Sequence, residues 1–193
     1  MVCVRDLFRE KRYAIYETMV KKQDLLFLYR YARARAGRGT MNVRDGQVPN
    51  TPSAGYDAVM DGLLNDLTPV VERASGLELF PTYSYFRVYK SGDILKRHTD
   101  RPACEISVTL CLGYEAPKPW PIWIEGPGGV ASVELQPGDG LLYRGIECPH
   151  WREPFEGEHN AQVFLHYVDQ HGPHAEWKFD KRPALSTLAT QKR

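Results

Sequence analysis

His98 and Asp100 stand two residues apart in LKRHTD, and His150 follows about fifty residues later in GIECPHW. On an extended strand, residues i and i+2 project from the same face, so His98 and Asp100 can share one ion. A third ligand is then expected from a distant strand, and His150 lies just after one. Two imidazoles and one carboxylate form a nitrogen–oxygen donor set for a first-row divalent metal and leave three coordination positions for exogenous ligands. Zn, Ni and Mn accept the same donors, because availability decides occupancy as much as geometry does. The same three residues also fit two surface histidines and an aspartate in a turn, since a chain with six histidines produces such spacings by chance.

Positioning these groups requires strands, and the apolar pattern changes to a period of about two after Gly76. Segments Tyr83 to Tyr89, Ile94 to Thr99, Glu105 to Leu112, Ile122 to Glu125, Val130 to Leu135, Leu141 to Gly145 and Ala161 to Val168 read as short strands. Turn clusters SGD, GPGG and PGDG separate several of them, which predicts a sandwich, jelly roll or barrel. Upstream, Leu7, Phe8, Ile15, Met19, Leu26 and Tyr29 recur at helical spacing, so residues 4–36 read as one or two amphipathic helices. Arg30, Arg33, Arg35 and Arg38 crowd the end of that stretch, as cations do at a helix C-terminus. Residues 40–55 read as a loop. A further helix is expected from Tyr56 to Ala74, stopped by Gly76, with a kink or restart at Pro69.

Two segments carry both the metal-capable residues and the strands. YFRVYKSGDILKRHTD contains Tyr89, the Gly92 turn, an extended stretch and then His98 with Asp100. QPGDGLLYRGIECPHWREPFEGEHNAQVFLHYVD contains a Gly-Asp turn, an apolar strand, His150 and a last strand. Together they resemble the Fe(II)/2-oxoglutarate-dependent dioxygenase superfamily, most closely its prolyl-4-hydroxylase-like branch, over residues 80–170. The resemblance implies a mainly β protein with N-terminal helices around a double-stranded β-helix, the cupin-like jelly roll. One domain over 1–193 is expected, with a helical part at 1–76, the β core at 77–170 and a C-terminal tail at 171–193. It also implies Fe(II) held by His98, Asp100 and His150, with 2-oxoglutarate and O2 as co-substrates and succinate and CO2 as products. Hydroxylation of a small molecule, amino acid or peptidyl residue is the expected reaction. The resemblance also implies that an aspartate at position 100 favours hydroxylation, or a demethylation or desaturation built on the same oxidant, over halogenation, for which relatives carry a small residue there. The alternative is a non-catalytic or differently metallated cupin-like binding domain.

In that branch an arginine or lysine on the last strand pairs with the distal carboxylate of 2-oxoglutarate. Residues 159–168, HNAQVFLHYV, contain neither. Alternation puts Asn160, Gln162, Phe164 and His166 on one face of that strand, so Gln162 is a candidate contact. Arg152 is the expected substitute cation, because in an extended chain it leaves on the same face as His150. Its competing reading is an exposed loop arginine paired with Glu153 or Glu156. Tyr89 is expected near 2-oxoglutarate, and Thr109, sharing a strand face with Ser107, adds a hydroxyl. Arg87 and Arg101 are candidates for an anionic substrate group or for structural ion pairs. Trp120 and Trp123 either line an entrance or fill core.

Composition bounds the remainder. The 25 basic and 24 acidic residues leave a formal charge of +1, so no global field recruits nucleic acid or membrane. No apolar run is long enough to span a bilayer, and the charged N-terminus MVCVRDLFREKR lacks the apolar stretch of a signal peptide, which predicts a cytoplasmic protein. Cys3, Cys104, Cys111 and Cys148 form no CxxC pair and read as free thiols.

Overall fold

The structure is a computed structural model that describes residues 3–186. Two antiparallel sheets face each other. The larger runs in the order β1 (Tyr13–Tyr16), β8 (Gly140–Arg144), β5 (Ile106–Glu115), β10 (His159–Asp169), β3 (Leu79–Lys90), β2 (Ser53–Gly55). The smaller runs in the order β4 (Leu95–His98), β9 (His150–Arg152), β6 (Ile122–Gly126), β7 (Gly129–Val133). This is the expected jelly roll, and its strands follow the predicted period-two segments, with β3, β5 and β10 running several residues longer. Three strands were not expected. β1 interrupts the stretch read as continuous helix, because YAIY is β-branched and aromatic, and its alternation buries Ala14 against β8. β2 lies in the predicted loop, and β9 carries His150 itself.

The helices are α1 (Val4–Lys11), α2 (Lys22–Gly37) and α3 (Ala58–Ser75). Asp57 caps α3 by accepting from the Val59 and Met60 amides at 3.0 and 3.3 Å, and Gly76 ends it in the left-handed conformation that a side chain would disfavour. Tyr56 precedes the helix with a positive φ of 56° rather than joining it. The helix runs on through Pro69 as one element, without the restart expected there.

Alternation decides which face of the large sheet meets the helices. Ala161, Val163, Leu165 and Tyr167 of β10 join Phe86, Val108 and Leu110 in a buried cluster with Leu28, Met60, Leu64 and Val71 of α2 and α3. The opposite faces of β10, β3 and β5 point between the sheets. A second apolar cluster, with Ile122, Ile124, Leu135, Leu141 and Cys148, fills part of that space, and polar groups occupy the remainder. Cys104, Cys111 and Cys148 are buried free thiols, and Cys3 is exposed. No helix among the described residues is long and apolar enough to cross a membrane.

The segment after β10 folds back on the sheet through a 3-10 turn over Ala175–Lys181. Residues 187–193 of the expected tail, and residues 1 and 2, lie outside the described residues.

Candidate metal centre

β4 and β9 are antiparallel neighbours whose register sets His98 opposite His150 and Leu95 opposite Arg152. Their imidazole centroids are 4.3 Å apart. Asp100 lies just past the end of β4, where its amide donates to the Gly145 carbonyl at 2.9 Å. Its Oδ1 lies 3.7 Å from Nε2 of His98 and 3.7 Å from Nε2 of His150. The three donor atoms lie within 4.8 Å of one another.

Both histidines are oriented so that they could serve as ligands. Nδ1 of His98 donates to the Lys96 carbonyl at 2.8 Å and Nδ1 of His150 to the Cys148 carbonyl at 3.0 Å, which places the lone pair of each ring on Nε2. Burial pushes His150 down to about 4 and lowers His98 as well, so both rings are neutral at ordinary pH. Burial raises the Asp100 carboxyl to about 6, and His98 opposes that rise only when it is protonated. Taking charge out of water is unfavourable, and a divalent cation at the convergence point would offset it. The donor set and its orientation fit the implied metal.

The centre opens into a cavity of about 290 Å³. Its walls come from the inner faces of β3, β5 and β10, with Tyr83, Tyr85, Arg87, Thr109, Phe164 and His166 among them, as the alternation of β10 predicts for Phe164 and His166. Asp45 and Gln47 cross its mouth. Asp45 pairs with Arg87 and accepts from the Tyr85 hydroxyl at 2.6 Å; Gln47 donates to Nε2 of His98 at 2.7 Å. Neither was legible in the sequence, because a loop residue's reach has no periodicity. Tyr83 and Tyr85 did leave a signal, since they alternate with Arg87 and Tyr89 on one strand face.

The other predicted residues divide. Thr109 is on the cavity wall, and its buried hydroxyl has no hydrogen-bond partner. Gln162 and Tyr89 are fully buried one rung further along the sheet, where Gln162 faces both Arg87 and Cys111 across the ladders. The Tyr89 hydroxyl accepts from Arg87 at 3.0 Å. Arg152 is buried too, at 1% exposed, and makes no pair with Glu153 or Glu156. Its Nη1 donates to the Trp120 carbonyl at 2.5 Å and its guanidinium lies 4.8 Å from the Trp120 ring, while Nε and Nη2 have no partner. Arg101 lies outside the cavity wall and donates through both Nη atoms to Asp180 at 2.8 Å. Trp120 packs between Tyr89 and Phe155, and Trp123 stacks on Trp151.

No protein-family model matches the sequence, and no curated protein is significantly similar to it. Solved structures do match. A Pseudomonas putida prolyl-4-hydroxylase superposes with a TM-score of 0.68 at 16% identity, over 86% of this chain and 97% of that one. The non-haem α-ketoglutarate-dependent epimerase SnoN from nogalamycin biosynthesis gives 0.73 at 12% identity, over 86% and 79%. HygX from Streptomyces hygroscopicus, solved with nickel, 2-oxoglutarate and hygromycin B bound, gives 0.67 at 12% identity, over 86% of each chain. The chain thus has the jelly-roll fold of the non-haem 2-oxoglutarate-dependent oxygenases.

Proposed function

We propose that the protein is an Fe(II)- and 2-oxoglutarate-dependent oxygenase, with His98, Asp100 and His150 holding the metal. The observation that carries the reading is the convergence of two neutral imidazole Nε2 atoms and one carboxylate oxygen on a single point at a cavity wall. Fe(II) with 2-oxoglutarate and O2 supplies an oxidant strong enough to hydroxylate an unactivated C–H bond, with release of succinate and CO2. The protein's part is to hold, orient and keep dry.

Arg152 is the residue we assign to the distal carboxylate of 2-oxoglutarate. Two buried arginines stand near the site, and their surroundings distinguish them. Arg87 already has a counter-ion in Asp45. Arg152 pairs with no carboxylate among the described residues, and the two nitrogens it leaves free, Nε and Nη2, form the side-on fork that grips a carboxylate at two points. Arg152 lies two strand residues from His150, about 6.6 Å along the chain. That is commensurate with the length of a five-carbon diacid. The unpartnered Thr109 hydroxyl and Gln162 side-chain carbonyl lie in the same interior, and Tyr89 bounds it. The remaining cavity, walled by Tyr83, Tyr85 and Phe164 and closed by the Arg87–Asp45 pair, is left for a small-molecule or peptidyl substrate. Arg101, engaged with Asp180, would take part only by releasing that partner.

Anaerobic titration with Fe(II) and 2-oxoglutarate tests the reading through the charge-transfer band of the chelate, followed by succinate measured on admitting O2. The parent protein is expected to give both. His98→Ala, Asp100→Ala and His150→Ala are each expected to lose the band while keeping a cooperative melt. A parent that binds metal but yields no succinate at any 2-oxoglutarate concentration would instead establish a binding module.

A further inference from the structure

The Asp100 carboxylate is gripped from the side opposite the histidines. Its Oδ2 accepts from the Ser107 hydroxyl at 3.1 Å, while Oδ1 faces the two Nε2 atoms. Ser107 Oγ also lies 2.9 Å from Nδ1 of His166, its direct partner across the β5–β10 ladder, and 3.1 Å from the Cys104 carbonyl. A hydroxyl has one proton to give. If His166 Nδ1 were the acceptor, Ser107 would have no proton for Asp100. With the proton on Nδ1, His166 donates to Ser107, and the Ser107 proton is left to the Asp100 carboxylate and the Cys104 carbonyl, both at 3.1 Å, of which the charged oxygen is the stronger acceptor. Among the described residues, Ser107 is the one hydrogen-bond partner of this histidine. Gly145 closes the third side: a Cβ there would overlap Asp100 Oδ2, Ser107 Oγ and the Cys104 carbonyl, so backbone packs directly against the pair.

We infer that Ser107 and His166 are positioning residues for the metal ligand: His166 orients the Ser107 hydroxyl, and Ser107 retains Oδ2 so that Asp100 presents only Oδ1 to the ion. This rests on the metal assignment proposed above. It has a chemical consequence. A carboxylate binding through one oxygen leaves three of six positions open, whereas one free to turn and bind through both takes a position that the co-substrates need. Residues that support a ligand in this way typically change metal affinity about ten- to a hundred-fold when removed.

The test uses Co(II), which resists oxidation and whose visible spectrum reports coordination number and geometry. Ser107→Ala and His166→Leu are expected to weaken Co(II) binding by about ten-fold or more and to alter the absorption bands. Ser107→Thr keeps the hydroxyl, and His166→Asn keeps a donor near the place of Nδ1, so both are expected nearer the parent. Thr82→Ala is the control for a merely structural loss. It removes a buried hydrogen bond of 2.8 Å from β3 to the Ala103 carbonyl in the turn before β5, and is expected to lower the melting temperature without changing Co(II) affinity or spectrum. Should His166→Leu fail to fold, Ser107→Ala and His166→Asn decide. If Asp100→Ala loses Co(II) while Ser107→Ala retains both the parent's affinity and its spectrum, the inference is overturned and the metal assignment stands. If Asp100→Ala binds like the parent, the metal assignment fails and takes the inference with it.

Discussion

At the scale of single residues, the interior between the sheets holds groups that only a ligand or a neutral state reconciles with burial. An arginine removed from water without a counter-ion is destabilising, and burial lowers the Arg152 pKa accordingly. Arg152→Met, similar in volume and apolar, is therefore expected to stabilise the ligand-free protein by about 1–3 kcal/mol in chemical denaturation. Arg152→Ala should leave metal affinity nearly unchanged and raise the 2-oxoglutarate concentration needed for uncoupled succinate formation by about ten- to a hundred-fold, the loss of one charge-assisted hydrogen-bonded grip. Arg152→Lys should recover part of this, and Gln162→Ala should cost less. Unchanged 2-oxoglutarate dependence in Arg152→Ala would move the assignment to Arg87. His166 gives a pH signature. Burial pushes it down to about 3 from an ordinary 6.5, so between those values the unfolded chain binds a proton that the folded one does not. Its contribution to stability is complete above about 6.5 and is lost as the pH falls towards 3, by at most about 1.4 kcal/mol per pH unit. His166→Asn should flatten that acid limb of the metal-free protein; an unchanged slope would show that other groups carry it.

The elements explain how the site is presented. β4 and β9 are short, at four and three residues, yet their pairing brings the two histidines together from positions about fifty residues apart. β10 divides by alternation: one face packs on the helices and the other supplies Gln162, Phe164 and His166 to the interior. The helices buttress the sheet from behind, and their own junction depends on Asp57. That side chain caps α3 and also accepts from the Tyr31 hydroxyl at 2.7 Å and pairs with Arg35 of α2. One of the arginines crowded at the end of α2 thus fastens two elements. Asp57→Ala is expected to destabilise the fold by about 1–2 kcal/mol, the loss of an N-cap, without altering metal affinity. Asp57→Asn should keep the cap, because Oδ1 makes the two amide contacts, and lose mainly the pair with Arg35. Denaturation midpoints for the two variants give the comparison; an equal loss in both would assign the role of Asp57 to its charge.

For the whole molecule, binding at the site should register as global stability, because a ligand held only by the folded state stabilises it by mass action. At a hundred times its dissociation constant a ligand adds about 2.7 kcal/mol. In a chain of this length that corresponds to a rise in melting temperature of roughly 5–10 °C. Metal and 2-oxoglutarate should add separately, and Arg152→Met should abolish the second increment while keeping the first. A 2-oxoglutarate increment that survives in Arg152→Met would place the carboxylate elsewhere. The sequence by itself determined a β core with a helical preface, and its resemblance to the dioxygenase superfamily singled out the jelly roll and the three metal-capable residues. Period-two alternation and the i, i+2 spacing of His98 and Asp100 are local properties of a chain, and they fix which side chains share a face. It also indicated Arg152 as an inward-facing cation, on the condition that the chain stays extended past His150. Only tertiary structure decided that condition, since β9 exists through its pairing with β4 and β6 and has too few residues to announce itself. The same holds for Asp45 and Gln47 at the cavity mouth, for the counter-ions that separate Arg87 from Arg152, and for the Ser107–His166 support behind Asp100. Apart from the Ser107–Asp100 bond, each of these is a contact between residues about forty or more positions apart, or the absence of one, and no local pattern encodes which distant group a polar side chain will meet.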